Sequence, residues 1–158
     1  MRRVVTKLIV TIAITAIGIF AADNSLGTWK RNIEKTKYKP ALTNPITSMT
    51  MVREASDGGV KVTATGERKD GSPINYSYTV KYDGTESPVT GSGSAFDSIS
   101  VKQIDANTFT SEIKKSGGKY HATGRVVISK DGKTMTLTNK GTDADGKPMS
   151  ATIVSDKQ

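Results

Sequence analysis

Apolar and polar residues alternate with a period of two along much of this chain. Ile74, Tyr76, Tyr78, Val80 and Tyr82 share one face of an extended backbone, and Asn75, Ser77, Thr79 and Lys81 share the other. Tyr120, Ala122, Gly124, Val126 and Ile128 form a second such row. Val60, Val62 and Ala64 form a third, and Met135 with Leu137 and Met149, Ala151 and Ile153 form two more. Each row predicts a strand with one buried and one wet face. Ten strands are predicted: Leu26–Asn32, Ile46–Glu54, Val60–Gly66, Ile74–Asp83, Glu86–Thr90, Phe96–Ile104, Thr108–Lys115, Lys119–Ser129, Thr134–Lys140 and Met149–Ser155. A linker with Pro40 and Pro45 separates the first two. No segment after residue 22 carries a helical apolar stripe long enough to compete.

The connections carry turn chemistry. Five Asp-Gly pairs stand at Asp57-Gly58, Asp70-Gly71, Asp83-Gly84, Asp131-Gly132 and Asp145-Gly146. Asp-Gly suits two-residue hairpins, whose central residues need positive φ. Gly91–Ser94, Asp105-Ala106-Asn107 and Ser116-Gly117-Gly118 supply further turns. Gly66–Pro73 and Gly141–Pro148 both read G-x3-D-G-x-P, as expected when similar hairpins recruit similar residues. The fold class that follows is all-β: an antiparallel up-and-down meander of about 8–10 strands closed into a barrel. A β-sandwich is the alternative. Closure is favoured because it removes the free strand edges.

The N-terminus departs from this pattern. Arg2, Arg3 and Lys7 precede or open a mostly apolar stretch from Leu8 to Phe20, followed by Ala21 and Ala22. This is the layout of a bacterial secretory signal peptide, and the stretch is short and threonine-rich for a membrane span. Residues 1–21 are expected to be the signal, with cleavage near Ala21 or Ala22, and 22–158 a single barrel domain. No cysteine is present, so a lipid-modified cysteine anchor is excluded and a secreted or periplasmic location without stable membrane insertion is expected. Loss of Arg2, Arg3 and Lys7 lowers the net charge from +8 to +5. That balance, with aromatics not interleaved among the basic residues, gives no nucleic-acid signature. One histidine and no cysteine leave no histidine-rich or thiolate metal site, and no cofactor is expected.

Gly27-Thr28-Trp29-Lys30 resembles the opening of the fatty-acid-binding branch of the calycins, the barrels that include the lipocalins. The longer pattern from Gly27 through Asn32, Lys35, Lys37 and Tyr38 to Pro40 is similar to a group of uncharacterised secreted bacterial proteins. The resemblance implies a calycin-like barrel, with Gly27 and Trp29 as its structural signature and Trp29 packing the barrel floor. Two departures accompany it. The segment Ile33–Pro45 is too short for the helix-turn-helix lid of fatty-acid-binding proteins. A basic residue over the tryptophan, usual in lipocalins, has three candidates here: Lys140, favoured by position, Arg125 and Arg53.

The chemistry legible in the sequence points to binding. Tyr76, Tyr78, Tyr82, Phe109 and Tyr120 are the expected ligand-binding residues, because tyrosine joins an apolar ring to a polar tip. The expected partner is a hydrophobic or anionic amphipathic small molecule, and the protein is expected to be a monomer. Lys30, Arg31, Lys35, Lys37 and Lys39, opposed only by Glu34, read as a solvated loop that attracts anions if it borders a barrel mouth. His121 falls on the polar face with Thr123 and Arg125, and no nucleophile–base pair stands out, so no catalytic residue is assigned. Asp143-Ala144-Asp145-Gly146 lacks the ligands of a calcium loop and reads as a turn. Asn75-Tyr76-Ser77 matches a glycosylation sequon inside a predicted strand and is discounted. The function expected is an exported, non-catalytic, lipocalin-like barrel that binds a small hydrophobic or amphipathic ligand. The alternative is a filled barrel serving as an interaction or envelope-associated structural module.

Overall fold

The computed structural model describes residues 23–57 and 59–158. The expected signal segment and Gly58 of the first Asp-Gly pair lie outside the described residues. The described residues form twelve strands: β1 (Gly27–Arg31), β2 (Lys37–Lys39), β3 (Ile46–Ser56), β4 (Gly59–Arg68), β5 (Pro73–Val80), β6 (Asp83–Pro88), β7 (Thr90–Ser92), β8 (Ser98–Asp105), β9 (Thr108–Lys114), β10 (His121–Ile128), β11 (Thr134–Thr142) and β12 (Pro148–Lys157). They form one antiparallel sheet in the order β6-β8-β9-β10-β11-β12-β1-β3-β4-β5-β7, with β2 added on β12. The all-β meander expected from the alternation is therefore present, and it curls into a nearly closed barrel.

Two junctions make the closure. At the first, β1 pairs with both its neighbours: Trp29 stands opposite Lys157 of β12 and Met51 of β3. At the second, the run from Asp83 to Ser92 divides its hydrogen bonds. Its first half, β6, pairs with β8, and its second half, β7, pairs with Asn75–Ser77 of β5. Val89 sits at the break and donates its N–H to the Asp97 carbonyl at 2.8 Å. A single strand thus crosses the seam between the two ends of the meander.

This seam is where the expected hairpin fails. The sequence predicts a two-residue turn at Asp83-Gly84, but no ladder joins β5 to β6. The chain turns one residue earlier, at Tyr82, whose φ is +63°. Gly84, at φ +90°, lies within β6 at a register shift between Asp83 and Glu86. The pair makes a bulge, not a hairpin. Asp70-Gly71, Asp131-Gly132 and Asp145-Gly146 do join neighbouring paired strands, and their glycines have φ of +81°, +69° and +84°. Asp70 and Asp131 accept hydrogen bonds from the N–H two residues on, at 2.9 and 3.1 Å; at the third turn Asp143 does so instead. The other departure is β2, which forms within the expected linker and places Tyr38 opposite Ala151.

Every second residue of each long strand points inward. Trp29, Phe109, Ile128, Val80 and Met135 pack the closed end as one buried cluster, and Met49, Ala64 and Ile74 form a smaller one. Trp29 is fully buried and donates its indole N–H to the Ser25 carbonyl at 2.9 Å. Lys157 lies over its ring, with Nζ 5.2 Å from the centroid, and donates to the Asn24 carbonyl. The basic partner of the tryptophan is therefore Lys157. Lys140 and Arg125 are exposed on the outer face, because their strand positions alternate with inward Asn139 and Gly124.

Candidate ligand cavity

Above the packed floor the barrel encloses a cavity of about 520 Å³. Its wall is mostly apolar: Met49, Met51, Ile74, Ile99, Val101, Phe109, Ile113, Val126, Leu137, Met149 and Ile153 all face it. The mouth is bounded by Lys39–Thr43, by Gly93–Phe96 and by Asp143–Asp145. Arg68 ties this rim together by donating to the carbonyls of Asn44 and Gly93.

Four of the five residues read from the sequence line this space: Tyr76, Tyr78, Phe109 and Tyr120. Period two delivers Tyr76 and Tyr78 to the same inner face of β5, where their rings stack at 6.4 Å. Phe96 meets Tyr76 edge-on at 5.8 Å. Burial pushes the Tyr76 hydroxyl well above its ordinary range, reinforced by Tyr78 and opposed by Arg31. The Tyr78 and Tyr120 hydroxyls are also raised, again chiefly by burial. Tyr82 is placed differently. It packs on Phe109 at 4.8 Å in the floor, and its hydroxyl meets Ser25 Oγ at 2.6 Å. It is a floor residue, not part of the cavity wall.

The cavity also holds two cations that sequence reasoning did not assign to it. Arg31 follows Trp29 by two residues and so shares its inward face, although it was read as part of a solvated basic loop. Its guanidinium donates to the Tyr38 hydroxyl at 3.1 Å. Arg53 follows Met51 on β3 in the same way and donates to the Tyr82 hydroxyl at 2.8 Å. The Nε of each is buried without a hydrogen-bond partner. Among the described residues neither arginine forms an ion pair. The signal that would have found them is parity: each stands two residues from an inward apolar side chain.

His121 does meet a carboxylate, Glu112 Oε1 at 3.0 Å, but on the outer face of β9 and β10, with both side chains about half exposed. The pair does not reach the cavity. Among the described residues no group of three His, Cys, Asp or Glu side chains is placed to hold a metal ion.

Comparison with known proteins adds little to this geometry. No protein-family profile matches the chain, and no curated protein does. The fold is similar to that in the solved structure of EF1p2_mFAP2b bound to DFHBI, with 16% sequence identity, a TM-score of 0.46, and coverage of 87% of this chain and 97% of that one.

Proposed function

We propose that this protein is an exported, monomeric, lipocalin-like barrel that sequesters a small amphipathic acid without chemical conversion. The observation that carries the reading is a largely apolar cavity of about 520 Å³ whose two arginines form no ion pair among the described residues and leave a buried Nε without a hydrogen-bond partner. Ligand pockets are commonly about 300–1,000 Å³, so the space suits a chain-bearing small molecule. Each buried methylene contributes about 0.8 kcal/mol, so about ten of them supply about 8 kcal/mol before the cost of immobilising the ligand. A carboxylate would satisfy the donors of Arg31 or Arg53, which desolvation otherwise leaves at a cost. Tyr76, Tyr78, Phe109 and Tyr120 would then contact the chain.

The cavity supports this reading over a filled structural barrel, whose interior side chains would leave no such space. The test is a titration of the folded protein, residues 22–158, with bis-ANS followed by displacement with long-chain fatty acids. Saturable dye binding that fatty acids reverse is expected. Dye binding to unfolded protein only, with no competition by the acids, would overturn the proposal.

A further inference from the structure

One polar feature of the cavity wall is separate from the arginines. Gly124 of β10 stands in register with Ser111 of β9 on one side and Asn139 of β11 on the other. All three positions face inward, and both polar side chains line the cavity. Because residue 124 has no side chain, its neighbours lean over its Cα. A methyl group there would overlap Asn139 Oδ1 and lie 2.8 Å from Ser111 Oγ. Asn139 is only 6% exposed, and it lines the cavity among apolar side chains. Its row on β11 is otherwise apolar, with Met135 and Leu137 on the same face. An amide that opens onto the cavity from such a row offers a donor and an acceptor to a ligand.

We propose that Asn139 and Ser111, leaning over Gly124, form a subsite for an uncharged hydroxyl on the chain of the bound acid. The inference rests on the cavity-binding reading above and names the ligand class more closely: a hydroxylated carboxylic amphiphile. The donor and acceptor inventory selects the group. A guanidinium only donates, so Arg31 and Arg53 favour a carboxylate. An amide and a hydroxyl each donate and accept, so Asn139 with Ser111 complements a group that also does both. The subsite also lies away from Arg53, which is held on Tyr82 in the floor. Asn139 stands four residues along β11 from Met135 of the floor cluster, a separation of about 13 Å at about 3.3 Å per residue. An acid held by Arg53 therefore carries the hydroxyl in mid-chain. Gly124 makes room for the pair, since a Cβ there would overlap Asn139 Oδ1 and crowd Ser111 Oγ and Leu137 Cδ1.

Calorimetric titration of the wild-type protein with stearic acid and with a mid-chain hydroxystearic acid tests the inference. Tighter binding of the hydroxy acid, by about tenfold, is expected. Asn139→Leu and, independently, Ser111→Ala are each expected to reduce that preference while stearic acid binding persists. Equal wild-type affinities for the two acids overturn the subsite and leave the cavity reading intact. Binding of neither acid overturns the cavity reading, and the subsite with it. The wild-type comparison needs no variant to fold, and Ser111→Ala removes a single oxygen if Asn139→Leu proves unstable.

Discussion

Arg53 donates a 2.8 Å hydrogen bond to the Tyr82 hydroxyl across the barrel floor, and among the described residues its guanidinium forms no ion pair. The ion pairs among the described residues all lie on the outer surface: Lys114 with Glu86, Lys115 with Asp97, His121 with Glu112 and Lys147 with Asp145. Outside, charges are paired cheaply in water. Inside, two cations face an apolar space without an anion. That contrast separates a surface built for solubility from an interior completed by something else.

Replacing Arg53 by methionine keeps the volume and removes the charge. If the arginine holds a carboxylate, affinity for a long-chain acid falls about 10- to 100-fold, the range given by about 1.5–3 kcal/mol for a charged hydrogen bond. Affinity for the methyl ester of the same acid stays nearly unchanged, because that ester carries no charge. Stability without ligand holds or rises, since a cation lacking its anion leaves the interior. Titration of acid and ester, with thermal melts of both proteins, separates these effects. An equal loss for acid and ester would show that Arg53 shapes the cavity and does not read charge.

The inner face of β5 predicts an alkaline response. Tyr76, Tyr78 and Tyr120 all have hydroxyls raised above the ordinary value of 10.0 by burial. In the unfolded chain they ionise near that value, whereas in the folded barrel they stay neutral. Above pH 10 the unfolded state therefore binds fewer protons, and stability falls as pH rises. Thermal melts from neutral pH upward are expected to be flat with respect to these groups until about pH 10, then to decline. Absorbance titration is expected to show the tyrosinates of these three appearing together with unfolding. Their smooth appearance in a still-folded protein would show that the row is open to solvent.

Much of this was legible from alternation alone. Period two assigned Tyr76 and Tyr78, and their inward direction needed no knowledge of the partner strands. Parity also places Arg31, Arg53 and Asn139 inward, but charge puts Arg31 in a solvated loop, Arg53 is weighed only as a partner for Trp29, and Asn139 draws no assignment. The position of Lys157 over Trp29 was not legible, because it depends on the register between the first and last strands of the sheet. The seam was hidden for a related reason. Whether Asp83-Gly84 makes a hairpin or a bulge is decided by which strand offers the better partner, β5 or β8, and that choice is tertiary.

Trp29 is the residue on which the floor depends. It is fully buried, held by Ser25 beneath and Lys157 above. Trp29→Ala is expected to cost about 3–5 kcal/mol through the cavity it leaves. Lys157→Met, which keeps the covering chain and loses the cation, is expected to cost about 0.5–1 kcal/mol. Urea denaturation followed by circular dichroism measures both without relying on tryptophan fluorescence. A lysine effect as large as the tryptophan effect would mean that Lys157 holds the β1–β12 junction and does not merely cover the ring.

The seam offers a way to open the barrel without touching its core. Gly91 of β7 pairs with Tyr76 of β5, has φ +112°, and would place a Cβ against the Asn75 carbonyl and 2.8 Å from the Tyr76 Cα. A side chain there is both strained in φ and blocked by backbone that cannot move aside. Gly91→Ala therefore forces β7 away from β5, while the β6–β8 ladder survives on the other side of Val89. The expected cost is about 1–3 kcal/mol, from strain and a few lost ladder hydrogen bonds. Amide hydrogen exchange localises it: protection falls at Asn75–Ser77 and Thr90–Ser92 and persists in β9–β11. Because β7 pairs with β5, whose Tyr76 lines the cavity, the opened seam is also expected to let ligand leave faster, so the dissociation rate rises more than the association rate falls. A global loss of protection would show instead that the seam and the core unfold as one unit.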